Sequence, residues 1–592
     1  MKIFVPTLVG LVGLLEIFTI VTAFCDAPSP AFPLPQLGRQ RHKRLTDETE
    51  RKLHKAVTSL ADNEIFNATA FSVEVTSTDA TLFGLHSTPK VRSSIQKGAD
   101  VISDTTTYRI ASITKAFTVL AILEQAKAGK LDLDDTLLKY IEELAEPQNG
   151  TLPWKDITLR ALAGQMAGIP RDMAQDDLAT DPPAAALLGL PVLGTEGLPQ
   201  CDSIVNYTRP CNRTDLINWV KKLKPVFAPN QKSSYSNLNY ELLGLVLANM
   251  TGMSYENYVE KHILREHGMN SASFTTPPDR VAAIPPGYEY YWNFQIGVQN
   301  PTGGLYASSS DLSKFLRYTM STFNAQSHAL NWFNPTSFTS SVETYYGMPW
   351  EIFRTNKFLA GTSRPVTLVT KSGGLPGYTS NIIMLPEYGI GITILVAGRS
   401  QALSILRTAV VNVMIEYGET VALTELQDLY AGFYMDQSTN SSISLGVTEK
   451  YGLYVTEWKS NGSNPLALYT EVFGDPRKEY VIYAVPTLLN IDEEHQAGER
   501  WRLLPQAVGW KKEFRDEPHS VWDDFCVEDW DIMAYAGRPL NEIVFWGNNA
   551  TIGKVADRVD LTAFRRSLDR SDPTSTASKI GSEYRQVFLG DW

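Results

Sequence analysis

Tyr108-Arg109-Ile110-Ala111-Ser112-Ile113-Thr114-Lys115-Ala116-Phe117-Thr118 is the stretch that decides how this chain is read. A polar segment turns here into an apolar run. Ala116, Val119, Leu120 and Leu123 recur at helical spacing, Gly129 closes the run, and Lys127 and Lys130 flank its last turn. Residues three apart on a helix share a face, so the Lys115 amine stands beside the Ser112 hydroxyl. A serine hydroxyl is a weak nucleophile until a neighbour takes its proton, and the N–H groups and positive dipole end of a helix N-terminus favour an alkoxide. The pattern is common, since composition gives about two Ser-x-x-Lys matches in a chain of this length. Ser87-Thr88-Pro89-Lys90 contains a proline and Ser94-Ile95-Gln96-Lys97 lies in no apolar period, so both read as loop. The plain alternative for Ser112 is a helix N-cap whose lysine faces solvent.

Two further motifs bear on that choice. Tyr235-Ser236-Asn237 precedes the apolar segment Tyr240-Glu241-Leu242-Leu243-Gly244. A tyrosine coupled to a lysine relays a proton to or from a serine, and an asparagine amide donates to a substrate carbonyl. Tyr255-Glu256-Asn257 and Tyr291-Trp292-Asn293 repeat the short pattern, so it is weak by itself. Lys371-Ser372-Gly373-Gly374 opens Leu375-Pro376-Gly377-Tyr378, where missing side chains let a ligand approach strand backbone closely. Its alternative is an ordinary glycine turn before the strand Ile390-Gly391-Ile392-Thr393-Ile394-Leu395-Val396.

These motifs, in this order, resemble the serine β-lactamase and DD-peptidase superfamily. The flanking text is similar to its class C β-lactamase-like branch: Arg109 to Lys115, Gly129-Lys130-Leu131-Asp132-Leu133-Asp134-Asp135, Tyr235 to Gly244, Gly303-Gly304-Leu305-Tyr306-Ala307-Ser308 and Gly373 to Tyr378. The resemblance covers residues 45–420 and extends to fungal secreted β-lactamase-like proteins with an added C-terminal domain. It implies an α+β fold, with an antiparallel sheet flanked by helices and a helical subdomain. It implies Ser112 as the acylated nucleophile, Lys115 as its proton partner and Tyr235 as the general base. Asn237, Lys371, Ser372, Gly373 and Gly374 are implied as substrate-binding, with Lys371 attracting a carboxylate and the Ser112 and Gly374 N–H groups forming the oxyanion hole. One departure stands out: Gln165-Met166-Ala167-Gly168-Ile169-Pro170 has glutamine where the branch often has histidine.

At 592 residues the chain exceeds one ordinary domain, and a net charge of −12 argues against nucleic acid or anionic membrane surfaces as partners. Met1-Lys2 and the apolar run from Ile3 to Phe24 read as a signal peptide over 1–23. An uncleaved signal anchor is the rival reading, weakened by Glu16 and Pro6. Asn-x-Ser/Thr sequons at Asn67, Asn149, Asn206, Asn212, Asn249, Asn440, Asn461 and Asn549 support a secreted, extracellular glycoprotein that needs no membrane partner after cleavage. Cys201 and Cys211 flank a polar loop, and an oxidising compartment favours a disulfide there; Cys25 and Cys526 offer a second pairing. No residues show metal-ligand spacing, and neither a metal nor a cofactor is expected.

Residues 24–44 read as a proline-rich, then basic linker, with Lys43-Arg44 a dibasic processing candidate. A catalytic domain is expected over 45–420, starting with a helix around Asp47 to Ala61 and a strand at Ala70-Phe71-Ser72-Val73-Glu74-Val75. The segment 171–230, rich in glycine and proline, separates two motifs and is expected to form a lid or wall over the cleft. From 421 to 592, short alternating runs such as Leu453-Tyr454-Val455-Thr456 and Ile543-Val544-Phe545-Trp546 predict an antiparallel β domain. Its opening Tyr430-Ala431-Gly432-Phe433-Tyr434 is similar to the lipocalin-like C-terminal domain of relatives. The function expected is a secreted serine hydrolase acting on an ester, amide or lactam in a small molecule or peptide. An acyltransferase of secondary metabolism and a catalytically silent binding protein are the alternatives.

Overall fold

The structure, a computed structural model, describes residues 30–60, 64–145, 151–173, 177–201, 209–323, 331–467, 477–510, 533–547 and 554–571. The signal peptide, Cys25, Cys526, Asn149, Asn206 and Asn549 lie outside them. The chain divides into two compact units. One comprises Gln40–Thr355 and Val366–Ile415; the other joins residues before 40, Asn356–Pro365 and Glu416 onward.

The first unit is built on an antiparallel sheet of β1 (Ala70–Thr76), β2 (Thr81–Ser87), β3 (Ser337–Phe338), β4 (Thr344–Tyr346), β5 (Glu351–Thr355), β6 (Val366–Leu375), β7 (Tyr378–Leu385) and β8 (Ile390–Ala397), in the order 2-1-8-7-6-5-4-3. The alternation seen in β1 predicts a half-wet strand, yet all seven of its residues are buried. Its neighbours β2 and β8 cover its edges, and Glu74 Oε1 accepts from the Thr81 hydroxyl at 2.9 Å. Helix α1 (Lys43–Thr58) begins inside the stretch expected as a linker, and among the described residues of that stretch Ala31, Phe32 and Leu37 are buried.

The helix α2 (Thr114–Lys127) follows a 3-10 turn, Ala111–Ile113, and ends where Gly129 takes φ +67°, a value that costs glycine little. It is apolar nearly all round, which is the pattern of a helix buried on every side. It packs against α4 (Leu238–Thr251), and Phe117 stacks on Phe315 of α5 (Ser309–Tyr318) at 4.3 Å between ring centres. Between α2 and α4 in the chain lies α3 (Arg213–Val220), capped by Asn212 and Asp215. The Cys201–Cys211 disulfide is present just before it.

The second unit is a closed antiparallel barrel of β9 (Gly432–Asp436), β10 (Ser441–Thr448), β11 (Gly452–Lys459), β12 (Lys478–Asp492), β13 (Ala497–Trp510), β14 (Glu542–Gly547), β15 (Ala556–Leu561) and β16 (Arg566–Ser571). Pairing of β16 with β9 closes it, removing the free edges that an open sheet would expose. Phe545 packs edge to face with Tyr430 and Trp501 at ring distances of 5.1 and 5.4 Å, and those two rings meet at a tilt, 4.8 Å apart. The long helix α6 (Gln401–Leu429) carries the chain into this unit. No described helix is long and apolar enough to cross a membrane.

Arg109, on a two-stranded ribbon formed with Tyr306–Ser308, is 2% exposed. Its guanidinium donates to the Phe294 and Tyr291 carbonyls and to the Tyr306 hydroxyl. Arg109→Ala leaves those buried acceptors short of donors and should cost the catalytic unit about 3 kcal/mol or more. Urea unfolding followed by tryptophan fluorescence should show the earlier transition.

Candidate active site

Ala111 sits at φ +48°, a left-handed conformation that costs a residue with a side chain about 1–3 kcal/mol and is retained only where surrounding structure over-determines it. It turns the chain so that Ser112 is half-buried while Ile113, Thr114 and Lys115 are fully buried. Ser112 caps nothing: no side-chain cap bond closes this helix start, and Thr114 Oγ1 donates to the Ala111 carbonyl at 2.7 Å. The N-cap alternative therefore fails. Ser87 ends β2 and runs out into a loop through Lys90, Ser94 to Lys97 lies in a loop, and Tyr255 is spent on the Thr118 hydroxyl at 2.7 Å.

Lys115 Nζ donates to Ser112 Oγ at 2.9 Å and to the Thr302 carbonyl at 2.9 Å. The Tyr235 hydroxyl donates to the same Ser112 oxygen at 3.0 Å. Lys115 Nζ lies 5.2 Å from the Tyr235 ring centre and 5.4 Å from that of Tyr240. Burial drives the Lys115 ammonium below its ordinary value; the Tyr235 phenol opposes this and the Lys371 charge reinforces it. Burial pushes the Tyr235 phenol up, but the charges of Lys115 and Lys371 and hydrogen bonding with Lys115 and Ser112 outweigh it, bringing Tyr235 to about 8. A lysine held below its ordinary value and a tyrosine brought to about 8 thus converge on one hydroxyl.

Tyr235 is held by the loop before residue 172. Gln165, at φ +62° and buried, accepts from Ser236 N at 2.8 Å and Asn239 Nδ2 at 3.1 Å. Ser236 Oγ donates to the Pro170 carbonyl and Asn237 N to the Arg171 carbonyl, each at 2.7 Å. The departure at Gln165 is thus a brace for the tyrosine segment. Asn237 is less free than expected, because its amide donates to Asp172 Oδ1. The Arg171 guanidinium lies 5.0 Å from the Tyr235 ring centre and pairs with Asp172 Oδ2 at 3.0 Å.

Lys371, Ser372, Gly373 and Gly374 lie within β6 rather than in a turn before a strand. Pro376-Gly377, with Gly377 at φ +83°, forms the tight turn to β7. Leu375 and Tyr378 close that two-residue turn, so antiparallel alternation aims the Ser372 and Gly374 N–H groups away from β7. Ser372 N is taken by Glu351 Oε2 at 3.1 Å, while Gly374 is exposed and faces open space. A side chain on Gly373 would collide with the Ile110 carbonyl oxygen and Ser380 Oγ, which is itself bonded to that carbonyl at 2.8 Å. The glycine lets the strand lie against the Ser112 turn.

Glu351 on β5 escaped sequence reasoning. Its Oε1 is 2.5 Å from Lys371 Nζ, and its Oε2 accepts from Ser372 Oγ at 2.6 Å. Burial raises the Glu351 carboxyl, yet Lys371 and the Ser372 hydrogen bonds overcome it and hold it below its usual range. Burial likewise opposes the Lys371 charge, and Tyr235 and Glu351 restore it above its ordinary value. The one metal-capable grouping among the described residues is Cys201, Cys211 and Asp215, whose two sulfurs are bonded to each other and so offer no thiolate.

A family profile described as Beta-lactamase matches residues 87–411. The chain belongs to the beta-lactamase family. It is a beta-lactamase-like serine hydrolase, and a second profile, described as Beta-lactamase-like-like, C-terminal domain, matches residues 422–572. A probable hydrolase of Phoma sp. is 32% identical over 92% of this chain and 91% of its own length. A probable hydrolase of Cochliobolus lunatus is 30% identical over 92% and 93%. Among solved structures, a class C beta-lactamase superposes over 63% of this chain and 96% of its own, at 20% identity and TM-score 0.47. In this beta-lactamase-family site, Gly373→Ala should displace β6 from the Ser112 turn. Labelling of Ser112 by a fluorophosphonate should slow about a hundredfold, with far-UV circular dichroism retained.

Proposed function

We propose that this protein is a secreted serine hydrolase that acylates Ser112 and releases the acyl group to water. The observation that carries the reading is the convergence of Lys115 Nζ and the Tyr235 hydroxyl on Ser112 Oγ, at 2.9 and 3.0 Å. In the protonated state both groups donate to Ser112. Once the pair has lost one proton, it accepts the Ser112 proton as Oγ bonds to the substrate carbonyl carbon. The Ser112 and Gly374 N–H groups are the proposed oxyanion donors, each worth about 3 kcal/mol of barrier. Collapse breaks the bond to the leaving oxygen or nitrogen, which takes the proton back. Tyr235 then draws a proton from water as that water attacks the ester carbon, and Ser112 is regenerated. The bond from the Asn237 amide to Asp172 fixes its orientation for a substrate carbonyl.

Secretion is part of the same proposal. It is supported by the apolar leader and by the Cys201–Cys211 disulfide. Asn212, Asn440 and Asn461 are exposed and Asn67 is half-buried, which favours glycosylation at these sequons, whereas the exposed Asn249 commits its amide nitrogen to the Tyr140 carbonyl at 2.7 Å. The segment 171–230 is proposed as the cleft wall, because Arg171 and Asp172 at its start touch the Tyr235–Asn237 motif.

A fluorophosphonate should label Ser112 in folded protein, and Ser112→Ala should abolish both label and ester turnover while leaving the unfolding midpoint nearly unchanged. Labelling elsewhere with activity retained in Ser112→Ala would refute the acyl-enzyme. Because the active form is the one that has lost a proton, kcat/KM should fall on the acid side of about pH 8, tenfold per unit at the limit. Tyr235→Phe should cut turnover by about 10²–10⁴ and flatten that limb.

A further inference from the structure

We infer that Glu351 is a built-in counter-ion for Lys371, and that it fits this cleft to uncharged acyl substrates rather than to carboxylate-bearing ones. The inference rests on the acyl-enzyme reading above and narrows its substrate class.

Lys371 is 1% exposed, and a lysine in that motif is expected to attract a substrate carboxylate. Here the position of that carboxylate is filled by the protein. Glu351 Oε1 stands 2.5 Å from Lys371 Nζ, which spends another donor on the Ser372 carbonyl at 2.9 Å. Glu351 Oε2 takes both the Ser372 hydroxyl at 2.6 Å and the Ser372 N–H at 3.1 Å. The charge and the two polar groups that the Lys-Ser pair would offer an incoming anion are therefore committed to one side chain.

The second cation beside Tyr235 is compensated in the same way. Arg171 lies 5.0 Å from the ring centre, on a par with the 5.4 Å of Lys371, and pairs with Asp172, whose other oxygen is held by Asn237. Each flanking cation thus carries its own carboxylate. An anionic substrate group reaching Lys371 would meet Glu351 at close range, and like charges there are penalised. A neutral ester or amide meets no such penalty, because the developing charge it needs stabilised is at the carbonyl oxygen, over the Ser112 and Gly374 N–H groups. Glu351 touches neither Ser112 nor the reacting carbonyl, so it is a positioning and specificity-determining residue.

The test compares kcat/KM for p-nitrophenyl valerate with that for mono-p-nitrophenyl succinate, which differ chiefly by a terminal carboxylate. The full-length enzyme should prefer the neutral ester at least tenfold. Glu351→Gln keeps the size and one acceptor oxygen but removes the charge, and should shift the ratio at least tenfold toward the succinate. Glu351→Asp, which keeps the charge, should leave the preference on the neutral side. A wild-type preference for the succinate, or an unchanged ratio in an active Glu351→Gln enzyme, would overturn the assignment, and the wild-type measurement does so even if the variant does not fold. Turnover with unlabelled Ser112 would overturn the acyl-enzyme reading and this inference together, whereas Ser112 acylation with the opposite charge preference overturns this inference alone.

Discussion

An ammonium taken wholly out of water organises the catalytic unit. Lys115 has no carboxylate within ion-pairing distance among the described residues; around it stand a serine hydroxyl, a backbone carbonyl and the faces of two tyrosine rings. Such a charge is costly in a dry interior, so the surroundings must either supply dipoles or let the proton go. Both occur. The Thr302 carbonyl is aimed at the amine by the short helix ending at Gly303, and the proton can be shared with Tyr235. The conformation of Ala111, the close approach of Gly373 and the brace at Gln165 make sense as conditions that keep this amine where it is.

How much of this was legible depended on how local the geometry is. Ser112 and Lys115 share one helical turn, so spacing alone brings them together. Tyr235 and Lys371 were recognisable by motif; the fold brings the Tyr235 hydroxyl to Ser112 Oγ and the Lys371 amine to the Tyr235 ring. Glu351 could not be read, because it meets Lys371 through strand register: Glu351 is paired with Thr370, next to the lysine, and nothing in the sequence states that alignment. Thr302 contributes a backbone carbonyl, which carries no side-chain signature. The tie between Asp172 and Asn237 joins positions 65 apart on two loops and was equally silent. Strand β1 was placed correctly, but periodicity does not show that all of its residues are buried or that a polar one such as Glu74 will find a partner inside.

Ion pairing in the cleft shows how one motif lysine is put to different uses. A buried ion pair contributes little net stability compared with a well-packed apolar pair, and it is more informative as a device that fixes geometry. Here it holds the Lys371 amine near the Tyr235 ring, where its charge favours the deprotonated phenol, while cancelling much of its field toward solvent. The positive potential acts inward, on the proton-transfer pair.

The barrel unit has an awkward birth. It recruits residues 30–39, and the backbone N–H of Gln36 docks on the Glu425 carboxylate 389 positions later. At ribosomal speeds of roughly 5–20 residues per second, that early segment waits on the order of 20 to 80 seconds for its partner to be made. Its apolar members, Ala31, Phe32 and Leu37, are without their native cover during that interval. Synthesis therefore leaves the oldest segment of the unit dependent on the youngest, and a chain stopped early carries a sticky leader with nowhere to settle.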